Sequence, residues 1–362
     1  MNATLNNIAG TLLIDATAAF LNGAGLGSGE DRNQVIPKTF REKVGGRIEN
    51  TPYVSAQAWR RWLRNTSNEE NNWNPSELHA IEVSTKGSTN KIATELNPID
   101  FPEDDLFGYM KAGGKAKNAK EEDDESEDEE KKSKSKEKTE SIQRTSPFRT
   151  SILKGIKELS ALSTDEAFVH LKDGTPLPYS TRFYSTHLEG FFNLEYYRLG
   201  VYDNVGSRQE LSKELIDKYN NQLEKSIISK KHERFTLINR EVCRKERASG
   251  LLKGIAYLRG GAKQAAYGAD VAPKVLIIAG LESANPIFNN LFIGQGSKPA
   301  LNIDAIKQLV NDYESKLATP VYIGIRTGYL ANEEDVKGLA QDGFIINSPI
   351  GIIEEFTKKH LS

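Results

Sequence analysis

Residues 38–64, KTFREKVGGRIENTPYVSAQAWRRWLR, constrain the fold more than any other stretch. Read at 100° per residue, Val54, Ala56, Ala58, Trp59, Trp62 and Leu63 share one broad apolar face, the pattern of an amphipathic helix. Thr51 is placed to cap that helix, and Pro52 suits its first position because its φ is already helical. Tyr53, Gln57, Arg60, Arg61 and Arg64 fall together in the remaining arc of roughly 100°. The apolar face has to be covered, which turns the arginine face outward. Three guanidinium groups, an amide and a phenol on one surface suit a line of phosphates, since each guanidinium can fork onto phosphate oxygens.

The residues before the helix read as a basic loop with Lys38, Arg41, Lys43 and Arg47, and with Gly45 and Gly46 for close backbone approach. From Arg32 to Arg64 there are eight Lys/Arg and two Glu, a local charge of +6 in a chain whose total is −2. A solvated helix face is the plain alternative for any charge run. Here the loop feeds the same face, and a second basic window runs from Lys230 to Lys263 with ten Lys/Arg against three Glu. Together they favour nucleic-acid binding.

The rest of the composition narrows the class. With 362 residues and 38% hydrophobic content the chain can bury a core. The single cysteine, Cys243, excludes an internal disulfide framework and a cysteine-rich zinc site. Five scattered histidines show no metal spacing, so no metal or cofactor is expected. With no signal segment and no apolar run of spanning length, the expectation is a cytoplasmic protein without membrane contact.

Along the chain, residues 5–22 read as an opening strand that ends in the glycine-rich NGAGLGSG. No GKS or GKT follows, so this is not a phosphate-binding Walker loop. Asp15 within the strand reads as a hydrogen-bonded or strand-edge carboxylate. Residues 65–110 are Asn-rich and Pro-broken, with one short strand, LHAIEVST. In 111–140 the run EEDDESEDEE holds nine acidic residues in ten. Such a block cannot bury apolar surface and is expected to be disordered. It reads as a solvated loop in an insertion, with a nucleic-acid mimic as the sharper alternative.

Order resumes at SPFRTSILKGIKELSAL. Residues 179–197, YSTRFYSTHLEGFFNLEYY, have aromatic and β-branched strand character. Arg182 and His187 lie within them, His187 with no second ligand nearby and so a structural histidine. Residues 208–231 read as a polar helix, RFTLIN as a strand, and 241–259 as a second amphipathic helix. KVLIIAG and VYIGI are strands, and 303–317 and the last dozen residues are helices. Without the insertions, the order is strand, helix, strand, strand, helix, strand. The fold class expected is α+β, a ferredoxin-like or RRM-like palm (βαββαβ) with two helices on one face of an antiparallel sheet.

The run 38–64 resembles the corresponding block of the backbone subunit of CRISPR surveillance complexes (Cascade), in particular the DevR-type branch of the Cas-seven family, found in type I-B systems and belonging to the RAMP superfamily. YSTRFYSTHLEGFFNLEYYRLG and LRGGAKQAAYGADVAPKVLIIAG resemble two further blocks of that family, in the same order. The likeness covers most of 5–60 and 179–282. The acidic tract is no part of it, and the last 60 residues carry little of it. The resemblance implies a palm split over 1–65 and 179–362, a finger insertion at 66–178 and a thumb near 259–273. It implies a protein of antiviral defence that stacks in helical filaments on crRNA and presents the guide to target DNA. The expected partners are further copies of itself and the capping, large and small subunits.

The RNA-binding set that follows is Lys38, Thr39, Arg41, Lys43, Arg47, Tyr53, Ser55, Gln57, Arg60, Arg61, Arg64, Arg182, Arg259, Lys263, Gln264 and Tyr267. In the thumb, Lys263 would meet a phosphate, Gln264 a sugar or backbone oxygen, and Tyr267 a base face. The loop is expected to be loosely held until RNA and a neighbouring copy order it. No catalytic residue is assigned. Two alternatives stay open: an RNA endonuclease of the type III backbone kind, for which Glu30 and Asp31 lie in a comparable region but unlike surroundings, and a stand-alone single-stranded RNA-binding protein.

Overall fold

The computed structural model describes residues 3–25, 34–44, 46–82, 91–111 and 141–361. Apart from Lys111, the acidic tract lies outside these residues, and so do Glu30 and Asp31. The chain divides into two compact units. The first comprises Met1–Pro75, Pro147–Leu199 and Glu241–Ser362; the second comprises Ser76–Ser146 and Gly200–Arg240. Among the described residues no helix is long and apolar enough to cross a membrane.

The first unit is built on one large sheet. Its strands are β1 (Asn7–Ala19), β2 (Thr39–Val44), β3 (Arg47–Val54), β4 (Phe148–Thr150), β5 (Leu153–Gly155), β6 (Ala161–Val169), β7 (Leu177–Leu194), β8 (Val275–Leu281), β9 (Tyr322–Ile325) and β10 (Ile345–Asn347). Their order is β10-β9-β8-β1-β7-β5-β3-β2, with β4, β6 and the two-residue strand Gln34–Val35 also paired to β7. The neighbours β8-β1-β7-β5 are antiparallel, while β9 and β10 run parallel. Helix α1 (Ala56–Asn71) follows β3, and α2 (Arg240–Ala256) precedes β8. The short α3 (Gln264–Tyr267), α4 (Ile303–Asp312) and the C-terminal α5 (Pro349–His360) complete the unit's main helices.

Every residue from Asn7 to Ile14 is buried, although successive side chains point to opposite faces. A strand reads as a continuous apolar run only when both faces are covered. On one face Ala9 and Leu13 join Val275, Ile277, Ile323 and Ile325 in a core closed by Phe288, Ile306 and Val336. On the other, Phe192 touches Phe148 and Phe148 touches Trp59 of α1, with ring centroids 6.1 and 6.4 Å apart. The Trp59 indole donates to the Ser151 carbonyl at 2.8 Å. Truncating a ring buried in this way costs about 3–5 kcal/mol. Tyr322 meets Phe356 of α5 on the same face. The expected pair of helices on one face is therefore half of the packing. The segment before β10 supplies a second layer, from residues whose facing the linear pattern did not reveal.

Glycines set the helix contacts. A Cβ at Gly254 of α2 would lie 2.2 Å from the Ser67 hydroxyl oxygen of α1, and one at Gly250 would lie 2.4 Å from the Trp73 ring. The helices approach that closely because neither position has a side chain. The six apolar residues expected to face inward from the second helix, Ala248, Leu251, Leu252, Ile255, Ala256 and Leu258, are all buried.

The second unit holds a six-stranded sheet in the order Leu223–Ser229, His232–Leu237, Val201–Val205, Arg208–Gln209, Ser141–Arg144, Tyr109–Lys111. The polar helix expected over 208–231 is thus corrected. Only Lys213–Lys218 is helical, and Leu223–Ser229 is an edge strand exposed at every residue after Leu223. An edge solvated on both faces has no reason to alternate, so its lysines and glutamates read as helix formers.

A one-and-a-half-turn helix, Pro102–Phe107, buries three consecutive acids, Glu103, Asp104 and Asp105. Each has work to do there. Glu103 accepts from the Ser76 amide at 2.6 Å, Asp104 accepts from the Ser76 hydroxyl and the Asn97 amide, and Asp105 accepts from the Gly200 amide. Arg144, wholly buried, bonds Asp105 and, at 2.7 Å, Glu210, with its guanidinium 4.8 Å from the Tyr202 ring centroid. Burial opposes its charge, but Asp105 and Glu210 outweigh that and raise its pKa.

Candidate nucleic-acid interface

The basic residues are gathered by a two-residue joint just past the end of β1. The Leu21 carbonyl accepts from the Ala262 amide at 2.9 Å, and the Asn22 carbonyl accepts from the Lys38 amide at 2.8 Å. The Asn22 side chain accepts from the Ser55 amide at 3.0 Å. One joint thus holds the segment leading into β2, the start of α1 and the loop 259–268. Tyr53 donates its amide to the Lys38 carbonyl at 3.1 Å, which brings Thr39 and Tyr53 into the same place. Gln34 and Val35 pair with Ser180 and Thr181 of β7, so Arg182 joins from the far strand.

The basic loop is in fact the β2–β3 hairpin. Val44 pairs with Arg47 across a two-residue turn in which Gly46 has φ +88°, a left-handed value that suits glycine. Directly opposite residues share a face. Arg41 and Lys43 therefore stand with Asn50 and Ile48, whereas Arg47 lies on the other face with Glu42 and Glu49. Two residues along a strand cover about 6.8 Å, so Arg41 and Lys43 make a spaced pair of cations on an exposed edge strand.

The helix start also differs from the expectation. Residues 47–54 are drawn into strand pairing, and the Thr51 hydroxyl donates to Glu42 at 2.8 Å and caps nothing. Pro52 is a strand residue. Ser55 is the cap, its hydroxyl accepting from the Ala58 amide at 3.4 Å. Of the expected polar face, Gln57 and Arg61 are exposed. Tyr53 belongs to β3 and packs edge-on against Phe40. Arg60 turns inward, donating to the Phe148 carbonyl with its guanidinium 5.8 Å from the Phe148 ring centroid. Burial, and then the charge of Arg64, lower its pKa to about 10, so it remains cationic at neutral pH. Arg60 is a packing residue, and the outward arc is narrower than the wheel suggested.

Lys38, Arg41, Lys43, Arg47, Arg61 and Arg182 have no carboxylate at ion-pair distance among the described residues. These six cations lie on the elements that the joint gathers, with Arg47 on the opposite face of the hairpin from Arg41 and Lys43. Uncompensated charge of one sign attracts polyanions and costs repulsion to keep together. No nucleophile–base pair stands among them.

The loop 259–268 lies against its own unit. Arg259 is paired with Glu69 at 2.8 Å and Glu70 at 2.6 Å, and those hydrogen bonds raise its pKa. Gly260 and Gly261 have φ +150° and +108°, and a Cβ at Gly260 would strike the Trp62 ring. Lys263 takes a left-handed φ of 51°, donates to the Thr181 hydroxyl at 2.9 Å and sits 5.3 Å from the Phe20 ring centroid. Gln264 donates to the Gly260 carbonyl, and Tyr267 packs on Phe183 with ring centroids 5.6 Å apart. Arg259, Lys263, Gln264 and Tyr267, expected to meet RNA, each have a partner here on the loop itself or on the surface beneath it.

Asp15 and His187 face each other across β1 and β7, and Asp15 accepts from the Thr17 amide and hydroxyl at 3.0 and 2.6 Å. Burial lowers the His187 pKa. Asp15 is hydrogen-bonded as the sequence suggests, whereas the buried Nδ1 of His187 has no hydrogen-bond partner among the described residues, so the hydrogen-bonding role expected of that histidine is not seen. In the second unit Glu77, His79 and Glu95 bring potential metal-ligand atoms within 4.8 Å of one another. All three are exposed, and the His79–Glu95 hydrogen bond of 2.7 Å accounts for the cluster without an ion.

No protein-family sequence profile matches the chain, and no curated protein matches it. Solved structures do. A chain of a "CRISPR RNA-guided surveillance complex, pre-nicking" aligns over 97% of this chain and 99% of its own length, with TM-score 0.50 and 11% identity. A chain of a "CRISPR RNA-guided surveillance complex" aligns over 97% and 98%, with TM-score 0.47 and 11% identity. The likeness is one of fold.

Proposed function

We propose that this chain is a guide-RNA-holding backbone subunit of a CRISPR surveillance complex, of the type I-B kind, and that it acts without catalysis. The observation that carries the reading is the set of uncompensated cations around the Leu21–Asn22 joint, on a fold shared with chains of such complexes. Arg41 and Lys43 on the hairpin, Arg61 on α1 and Arg182 at the rim of β7 offer charge to successive phosphates while leaving base edges unread, as a protein that accepts any guide must. A ferredoxin-like palm is part of this reading, supported by the strand order β8-β1-β7-β5. The resemblance adds further copies along the RNA, the capping, large and small subunits, and target DNA as partners, with the cytoplasm as the compartment.

The test is salt-dependent binding to a single-stranded RNA 30-mer. Three to five phosphate contacts give a slope of log affinity on log salt of roughly −2 to −3.5. Arg41→Glu, Lys43→Glu and Arg61→Glu together should weaken binding at least a hundredfold and flatten the slope by about 2, with the unfolding midpoint unchanged. An unaltered slope overturns the reading. Cleavage of a complementary RNA bound to the loaded protein overturns its non-catalytic part.

A further inference from the structure

At the other end of α1 from the basic face, a groove of about 420 Å³ lies between α2 and α5. Ser249, Gly250 and Ala256 of α2 line it beside Ile350 and Ile353 of α5. These positions recur at helical spacing on both helices, so each helix presents a stripe and the cleft runs along them. From Glu246 to Ala256 the lining spans eleven residues of α2, about 16 Å of helix. Ser249, Gly250 and Ala256 put only small groups on the α2 side of the groove. Thr357, also in the lining, donates its hydroxyl to the Ile353 carbonyl at 2.8 Å.

The lining holds one lysine and two glutamates, and only the glutamates are without an ion-pair partner among the described residues. Lys253 is committed, donating to the Glu70 carbonyl at 2.6 Å and lying 3.7 Å from its carboxylate. Glu246 and Glu354, both exposed, line the groove with no cation at ion-pair distance among the described residues. We infer that this groove docks a helical segment of a partner protein, one that buries an apolar side chain over Ile350 and Ile353 and extends Lys or Arg to Glu246 and Glu354. An apolar floor with two like charges at its rim is complementary to a basic amphipathic helix and rejects an acidic one. A volume of 420 Å³ holds a few side chains, so the contact is a short anchor. The inference is independent of RNA binding, because no residue of the groove belongs to the basic face.

The experiment uses the full chain and a fluorescein-labelled 14-residue amphipathic helix of Leu and Lys, with its Leu/Glu counterpart as control. Anisotropy should show binding of the Leu/Lys peptide only. Glu246→Lys with Glu354→Lys should weaken it at least tenfold. Ser249→Trp, which fills the floor and keeps both carboxylates, should do the same. Loss in the charge variant alone overturns the groove, because it reveals surface adhesion. Equal binding of both peptides, or none by the wild-type chain, also overturns it.

Discussion

Arg144 in the second unit and Arg61 in the first are the same residue in opposite surroundings. Arg144 is buried and has two carboxylates, two backbone carbonyls and a tyrosine ring around it. Arg61 is exposed, and among the described residues it has no acidic partner. The first arrangement is closed: the guanidinium donates to both the carbonyl and the carboxylate of Asp105, to the Val201 carbonyl and to the Glu210 carboxylate. The second is open, with charge presented to whatever arrives. Local composition misleads here, because the exposed Arg61 lies between Trp59 and Trp62 whereas the buried Arg144 lies in the polar stretch SIQRTS. What separates them is whether acids return to the site from distant parts of the chain, as Asp105 and Glu210 do for Arg144.

The largest effect expected from breaking this contrast is at Arg144. Arg144→Met leaves two buried carboxylates without their cation and should cost about 3–5 kcal/mol, seen as a lowered denaturant midpoint. Adding Asp105→Leu and Glu210→Met should return most of the loss, since a buried ion pair replaced as a whole by apolar groups is close to neutral. A single variant as stable as the parent would erase the distinction.

Arg60 and Arg61 sharpen it further, being adjacent residues of one helix. Arg60→Gln should cost about 1–2 kcal/mol through the bond to the Phe148 carbonyl, whereas Arg61→Gln should stay within about 0.5 kcal/mol. RNA affinity should reverse that ranking, with the larger loss at Arg61.

The smallest effect concerns pH. Burial lowers the folded-state pKa of His187 below its ordinary 6.5. Between the two values the unfolded chain holds more protons than the folded one, so stability falls as pH drops below about 6.5 and levels off beneath the folded pKa. His187→Gln should flatten that part of the stability curve. A slope that persists in the variant assigns it to another group.

Much of the first unit's sheet was legible in the sequence. β7 alternates buried Thr186, Leu188, Gly190 and Phe192 with half-buried neighbours, and β1 and β8 are continuous apolar runs. The errors came where two local signals competed. Thr51-Pro52 is a plausible helix start, but β partners eleven and thirteen residues upstream, Phe40 and Thr39, took those residues first, and only Ser55 was left to cap. At 208–231 the lysines and glutamates of a solvated edge strand imitated a helix. The candidate site was legible as a set of charges and illegible as an arrangement. The helical wheel put Arg60 outside, and nothing in the linear spacing placed Arg47 on the opposite side of a hairpin from Arg41.

The joint at Leu21 and Asn22 has a consequence for how such a surface can change over generations. Two of its three attachments are made by main-chain carbonyls, which every residue type carries. A substitution there alters side-chain packing and leaves those carbonyls in position, so their attachments survive it. Insertion or deletion of a single residue would move all three anchors at once and scatter the hairpin, the helix start and the glycine loop. Spacing, more than spelling, is what inheritance has to copy faithfully at this point, and length variation is free to accumulate only away from it.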